Sequence, residues 1–212
     1  MATRHLATQP ATQANRERLL DAALTVLLDQ GVTRLTVRAV AEAAGASTIA
    51  VYTRFGGRSG LLDALYERTF DALRGMLDSL PPSSEDGIAD LIGLALAYRR
   101  FALDGPARYA LMYERPVPDF DPDPELRAVV VHTTFRLFVE RVRQVSPDGA
   151  DARSSAYSLW ATMHGLVSAE LTMGSRAPLA EWFIAPTEAA NEQAYLTGVT
   201  AMLTGLGLRN TH

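Results

Sequence analysis

Residues 36–55 read TVRAVAEAAGASTIAVYTRF, two short helical patterns meeting across one glycine. Val37, Val40, Ala41 and Ala44 recur at i, i+3, i+4 and i+7. They make one apolar stripe on a helix that Thr36 can cap by accepting a first-turn N–H. Gly45 ends that helix, because glycine takes the left-handed conformation that closes a last turn, and Ser47 stands ready to cap a second helix. The pattern is that of a helix-turn-helix.

At about 100° per residue, Ser47, Val51 and Phe55 fall on one side of the second helix, while Ile49 and Thr53, flanked by Ala50 and Tyr52, point away. A recognition helix enters the major groove with its N-terminal residues at the base edges, while the helix before it crosses the backbone. Thr48, Ile49, Ala50 and Thr53 are therefore expected to face bases, Ile49 against a thymine methyl. The hydroxyls of Thr36 and Tyr52 and the guanidinium of Arg58 are expected at phosphates, and Ser47 and Arg54 complete the candidate DNA-binding set.

Around this stretch the chain reads as helices throughout. A helix from Asn15 to Gln30, with Leu20, Ala23, Leu24, Leu27 and Leu28 on its core face and Gly31 as its stop, closes a three-helix head. Gly56-Gly57 makes a corner before a fourth helix, Arg58 to Leu80, which spans on the order of 33 Å and ends at Pro81-Pro82. Further helices are expected over Glu85–Leu103, Pro106–Tyr113, Pro124–Gln144, Pro147–Met173 and Thr187–Leu206, with prolines at or near several starts. Residues 1–15, polar and aperiodic, read as a mobile arm, in which Arg4 and His5 are either solvated or within reach of a minor groove. The domain division is an arm over 1–15, a helix-turn-helix domain over 16–62 and an all-α bundle over 63–212.

From Arg16 to about Leu65 the chain resembles the DNA-binding domain of the tetracycline-repressor (TetR) family of transcriptional regulators. The resemblance rests on Thr36-Val37, Val40-Ala41, Ala44-Gly45, Ser47, Tyr52 followed by Phe55, and a basic residue, Arg58, before Leu61-Leu62. Two positions depart from that pattern: Arg58 stands where the family usually has lysine, and Thr48-Ile49 replaces a more usual basic residue and glycine. The first keeps the charge; the second is expected to change which operator is read. Trp160-Ala161-Thr162-Met163-His164-Gly165 resembles a Trp-x-x-x-His-Gly pattern of one class of TetR ligand-binding domains.

Composition narrows the alternatives. With 212 residues, 48% of them hydrophobic, the chain can bury a core. It has no cysteine, which removes disulfide and thiolate chemistry, and no apolar run near the roughly 20 residues of a membrane span. A cytoplasmic protein with no membrane partner is expected. The net charge of −4 divides into +3 over residues 1–60 and −7 over the rest, which suits a basic head on an acidic body. Every basic residue is arginine, so arginine count is no argument for DNA binding.

Signs of an enzyme are missing: there is no Gly-x-Ser-x-Gly elbow, zinc helix or phosphate loop, and Gly205-Leu-Gly207 reads as a frayed helix end. Asp119, Asp121 and Asp123 alternate as in a calcium loop, but Pro124 and Val130 stand where glycine and glutamate belong, so Asp123 reads as a helix cap. The four histidines lack metal-ligand spacing, and neither metal nor cofactor is expected.

His164 is either a core histidine bonded to a neighbour or a ligand contact. Tyr98, Phe135 and the set Phe101, Tyr109, Met112, Tyr113, Phe138, Trp160 and Met163 have the same ambiguity between core and pocket. The resemblance implies that a small, mostly apolar ligand binds among the latter set and His164. Leu159 and Leu166 on one helix, with Leu196, Val199, Met202, Leu203 and Leu206 on the last, form apolar stripes that either pack on the chain's own bundle or make a twofold dimer. The expected function is a homodimeric regulator, a repressor of a near-palindromic double-stranded operator released by a small apolar ligand. The rivals are a regulator without a ligand and an all-α binding protein or enzyme without an operator.

Overall fold

The computed structural model describes residues 8–117, 120–174 and 183–210, and among them the chain is all-α with no strand. The helices are α1 (Thr8–Gln30), α2 (Val37–Ala43), α3 (Thr48–Phe55), α4 (Arg58–Ser79), α5 (Gly87–Leu103), α6 (Pro106–Tyr113), α7 (Pro124–Arg143), α8 (Ala152–Gly174) and α9 (Glu188–Gly205). A single 3-10 turn, Val32–Arg34, precedes α2.

The chain divides into two compact units that alternate along the sequence: Met1–Ala72 with Gly105–Val130, and Leu73–Asp104 with Val131–His212. In the first, α1 packs on α2 and α6, and α2 packs on α3. Leu19, Leu20, Ala23, Val26, Leu27, Val40, Val51, Leu61 and Leu65 are buried there. The core stripe of α1 therefore includes Leu19 and Val26, whereas Leu28, expected inside, is 42% exposed. In the second unit α5, α8 and α9 pack on one another. Leu91, Leu94, Ala95, Ala156, Leu159, Met163, Tyr195 and Val199 are buried there.

Most expected helices are present with shifted ends. α1 begins at Thr8, so residues 8–15 are helical where an arm was expected. Ala and Gln are good helix formers, and Pro10 lies in the first turn where proline is tolerated. Arg4 and His5 lie outside the described residues. Pro106 and Pro124 do begin helices. Pro147 does not: its carbonyl accepts from Ala150 N in a turn, and Asp151 caps α8 by accepting from Arg153 N, both at 3.0 Å. Asp123 caps α7 through Glu125 N and Leu126 N, each at 3.0 Å.

The end of α9 is not frayed. Gly207 adopts φ 67°, and the N–H of Leu208 bonds back to the Leu203 carbonyl at 3.1 Å, the closed helix end that a left-handed glycine permits. Arg209 N then donates to the Val145 carbonyl at 3.0 Å. The Asn210 side chain accepts from Ile88 N and donates to Asp86, also at 3.0 Å, pinning the chain end to the start of α5.

Candidate nucleic-acid interface

The reading head is built by local backbone devices. Thr36 Oγ1 accepts from Ala39 N at 3.1 Å and Ser47 Oγ accepts from Ala50 N at 3.3 Å, so both expected caps are in place. Between them Gly45 takes φ 59°, and Ala46 N bonds to the Ala41 carbonyl at 2.8 Å, closing α2. The corner after α3 uses Gly56 at φ 72°. Gly60 serves a different need: a Cβ there would lie 2.0 Å from the Phe55 carbonyl oxygen, so the first turn of α4 approaches the last residue of α3 as only glycine allows.

Side-chain exposure on α3 follows from this placement. Val51 is fully buried and Phe55 half-buried, with the Arg16 guanidinium 5.6 Å from its ring centroid. On the other side Ile49 is 73% exposed and Tyr52 58%, and Thr48 and Thr53 are exposed, with Ala50 and Arg54 half-buried. Ser47 is exposed as the cap rather than turned inward with Val51. Thr53 Oγ1 donates to the Ile49 carbonyl at 2.8 Å. Arg58 is exposed, and its Nε donates to the Leu35 carbonyl at 3.3 Å, tying the start of α4 to the segment before α2. Arg68 holds α4 to α1 through Glu17 and Asp21, each at 2.8 Å.

The expected ligand residues fall in both units. Tyr109, Met112 and Tyr113 lie on α6 in the first, where Tyr113 stands edge-on to Tyr109 at 4.9 Å and to Phe70 of α4 at 6.0 Å. Phe101, Phe138, Trp160, Met163 and His164 lie in the second. Met163 is fully buried, Phe101 and Phe138 nearly so. Trp160 and His164 are half-buried and stacked, ring centroids 5.3 Å apart with 16° between planes.

Two hydroxyls that sequence reasoning missed stand one helical turn from members of this set. Thr134, a turn before Phe138 on α7, and Ser168, a turn after His164 on α8, have buried hydroxyl oxygens with no hydrogen-bond partner. The i, i+4 spacing to Phe138 and to His164 was the available signal.

The expected dimer stripes need correction. Leu159, Val199 and Leu203 are at most 2% exposed within a single chain, because α5, α8 and α9 close on one another, so they offer no surface to a partner. Leu166, Leu196, Met202 and Leu206 are half-exposed. Gly198 lets Leu166 lie against α9; a Cβ on it would meet Leu166 Cδ1 at 2.7 Å.

A buried cluster in the same unit went unread in the sequence. Arg99, 3% exposed, donates to Glu170 through Nε (2.8 Å) and Nη2 (2.7 Å) and to Glu192 through Nη1 (3.0 Å), joining α5 to α8 and α9. The hydrogen bonds to Glu170 outweigh burial and raise its pKa further. Its position shows in the pattern: Leu91, Ala95, Tyr98 and Ala102 make the buried stripe of α5, and Arg99 sits inside it.

No group of three or more His, Asp or Glu among the described residues is placed to hold a metal. Asp119 lies outside them; Asp121 pairs with Arg115 and Arg127 at 2.5 and 3.2 Å. No helix among the described residues is long and apolar enough to cross a membrane.

A glycine-bounded α3 with an exposed outer face, supported by α1, α2 and α4, defines a helix-turn-helix protein of the all-α class. Comparison with known proteins places it further. Residues 19–65 match the family described as bacterial regulatory proteins, tetR family, and residues 91–185 match the tetracyclin repressor-like C-terminal domain. The chain belongs to the tetR family of bacterial transcriptional regulators. An HTH-type transcriptional regulator of Mycobacterium tuberculosis is 33% identical over 121 residues, 55% of this chain and 50% of the relative. The match thus spans about half the length of that curated relative.

Among solved structures, a protein of unknown function from Rhodococcus sp. RHA1 is 28% identical with a TM-score of 0.69, covering 91% of this chain and 95% of that one. A TetR variant from Acinetobacter baumannii in complex with minocycline has a TM-score of 0.61 at 19% identity, covering 92% and 97%. The names of the family and the relative are those of regulators, as expected for a chain that is not an enzyme.

Proposed function

We propose that this protein is a homodimeric, ligand-responsive repressor that binds a near-palindromic double-stranded DNA operator. The observation that carries the reading is the outer face of α3, where Ile49 and Tyr52 are the most exposed large apolar side chains of the head. A face with no covering neighbour, on a helix whose N-terminus is open, suits the major groove. Thr48, Ile49, Ala50 and Thr53 then face bases, while the hydroxyls of Thr36, Ser47 and Tyr52 and the guanidinia of Arg54 and Arg58 hold phosphates. Footprinting on the DNA flanking the protein's own gene tests it. The expected result is a protected pair of half-sites about 34–36 Å apart or a multiple of that; no protection at any salt concentration would refute it.

The dimer reading rests on Leu166, Leu196, Met202 and Leu206, half-exposed on two neighbouring helices. Light scattering of Met202→Glu should report a monomer with the fold intact, because the charge is added to a half-exposed site. A wild-type monomer at micromolar concentration would refute the dimer.

Ligand response is supported by the half-buried Trp160–His164 stack and by the orphan hydroxyls of Thr134 and Ser168, each a turn from an expected ligand residue. A mostly apolar ligand with one or two hydrogen-bonding groups fits that set. A thermal-shift screen of apolar metabolites and drugs should give a stabilising hit that lowers operator affinity, a response that Trp160→Ala removes. A hit that leaves operator affinity unchanged would leave a binding site without this control.

A further inference from the structure

The base preference of α3 follows from what its exposed side chains can and cannot bond, an inference that rests on α3 being the DNA-reading helix. Guanine is read best by Arg or Lys, adenine by Asn or Gln, and cytosine by Glu or Asp. None of these types stands among the exposed residues of α3, which are Thr48, Ile49, Tyr52 and Thr53. The one cation of the helix, Arg54, is half-buried in its last turn.

The hydroxyls are partly committed as well. Ser47 Oγ accepts from Ala50 N, and Thr53 Oγ1 gives its proton to the Ile49 carbonyl at 2.8 Å. The most prominent side chain of the helix is apolar: Ile49, 73% exposed, beside the Ala50 methyl and Thr48, whose hydroxyl can meet a donor or an acceptor and so selects no one base. In the major groove the base edges present one apolar group, the C5-methyl of thymine.

We propose that the base pairs under the first two turns of α3 are T·A pairs read through thymine methyl groups, with Ile49 as the specificity-determining contact. Burying one methyl against Ile49 is expected to be worth about fourfold in affinity per half-site. Discrimination here comes from the methyl rather than from hydrogen bonds, so deoxyuridine, which differs from thymidine by that methyl alone, is the discriminating probe.

The full-length protein is used to select sites from a random duplex pool, and each thymine of the selected half-site is then replaced by deoxyuridine in anisotropy titrations at one salt concentration. The expected result is an about fourfold loss at one or two thymines, roughly fifteenfold when both half-sites carry the replacement. Ile49→Ala should abolish that loss, and Ile49→Arg should move the preference at the same position towards guanine. Ile49 is exposed, so neither variant disturbs the core. A selected site without thymine under α3, uridine replacements that all bind as thymidine does, or a uridine penalty that survives Ile49→Ala would overturn the proposal while leaving DNA binding standing. Failure to enrich any sequence would overturn DNA binding and the proposal together.

Discussion

The two units hold their helices by different means. In the first, the devices are local: Thr36 and Ser47 each bond a backbone N–H three residues on, Gly45 and Gly56 turn the chain, and Gly60 sits against the end of α3. Its long-range ion pair, Arg68 with Glu17 and Asp21, lies at the surface with side chains 33–64% exposed, where such pairs contribute little. In the second unit two side chains that are themselves buried bond to residues far along the chain, Arg99 to Glu170 at a separation of 71 positions and Tyr195 to Ala95 at 100. A head assembled from backbone geometry leaves its outer side chains free to vary with the operator. A bundle assembled around a buried cation depends on particular partners.

That contrast can be broken most severely at Arg99. Arg99→Ala strands Glu170, whose side chain is 12% exposed, and should destabilise the protein by about 3–5 kcal/mol in urea unfolding. A loss no larger than that of a surface pair would erase the difference between the units. Next is Gly60→Ala, whose Cβ would collide with the Phe55 carbonyl at 2.0 Å; the corner must open, at about 1–3 kcal/mol, and operator affinity should fall further than stability. Wild-type binding by that variant would mean that the α3–α4 corner has no part in aiming α3.

Removing one cap, by Ser47→Ala, should cost about 1 kcal/mol by the same unfolding measurement, with circular dichroism reporting little change. The smallest effect concerns Asp86. The Ala89 N–H, and after it the Asn210 side chain, hold this exposed carboxyl below its ordinary pKa. A folded pKa below the unfolded one gives a contribution that is present above the ordinary carboxylate range and lost as pH falls through the folded value. Asn210→Ala should move the Asp86 titration, followed by NMR, upward towards its ordinary value; an unmoved titration would remove the tie between the chain end and α5.

Legibility in the sequence follows the same division. Caps and positive-φ glycines act within a few residues, so Thr36, Gly45, Ser47 and Gly56 announced the helix-turn-helix, and the 3.6-residue period announced which side of α3 holds Val51. The long-range pairing did not show. Arg99 in LALAYRRFAL reads as a solvated residue until its place on the stripe with Ala95 and Ala102 is noticed. Leu159, Val199 and Leu203 stayed open between bundle core and partner surface because nothing local says that α5 covers α8 and α9. Start positions failed where composition misled, at Thr8 because polar residues resembled an arm and at Pro147 because a proline can begin a turn as well as a helix.

The alternation of the two units along the chain sets a rule for building hybrids from this protein. A head excised at residue 65, where the N-terminal family match ends, would leave behind α6, which packs on α1. It would also leave Asp123, whose backbone N–H donates to Asp63 at 3.1 Å. A transplant meant to carry this specificity to another scaffold has to bring residues 105–130 with it, or supply a recipient whose corresponding helix fits the same surface of α1.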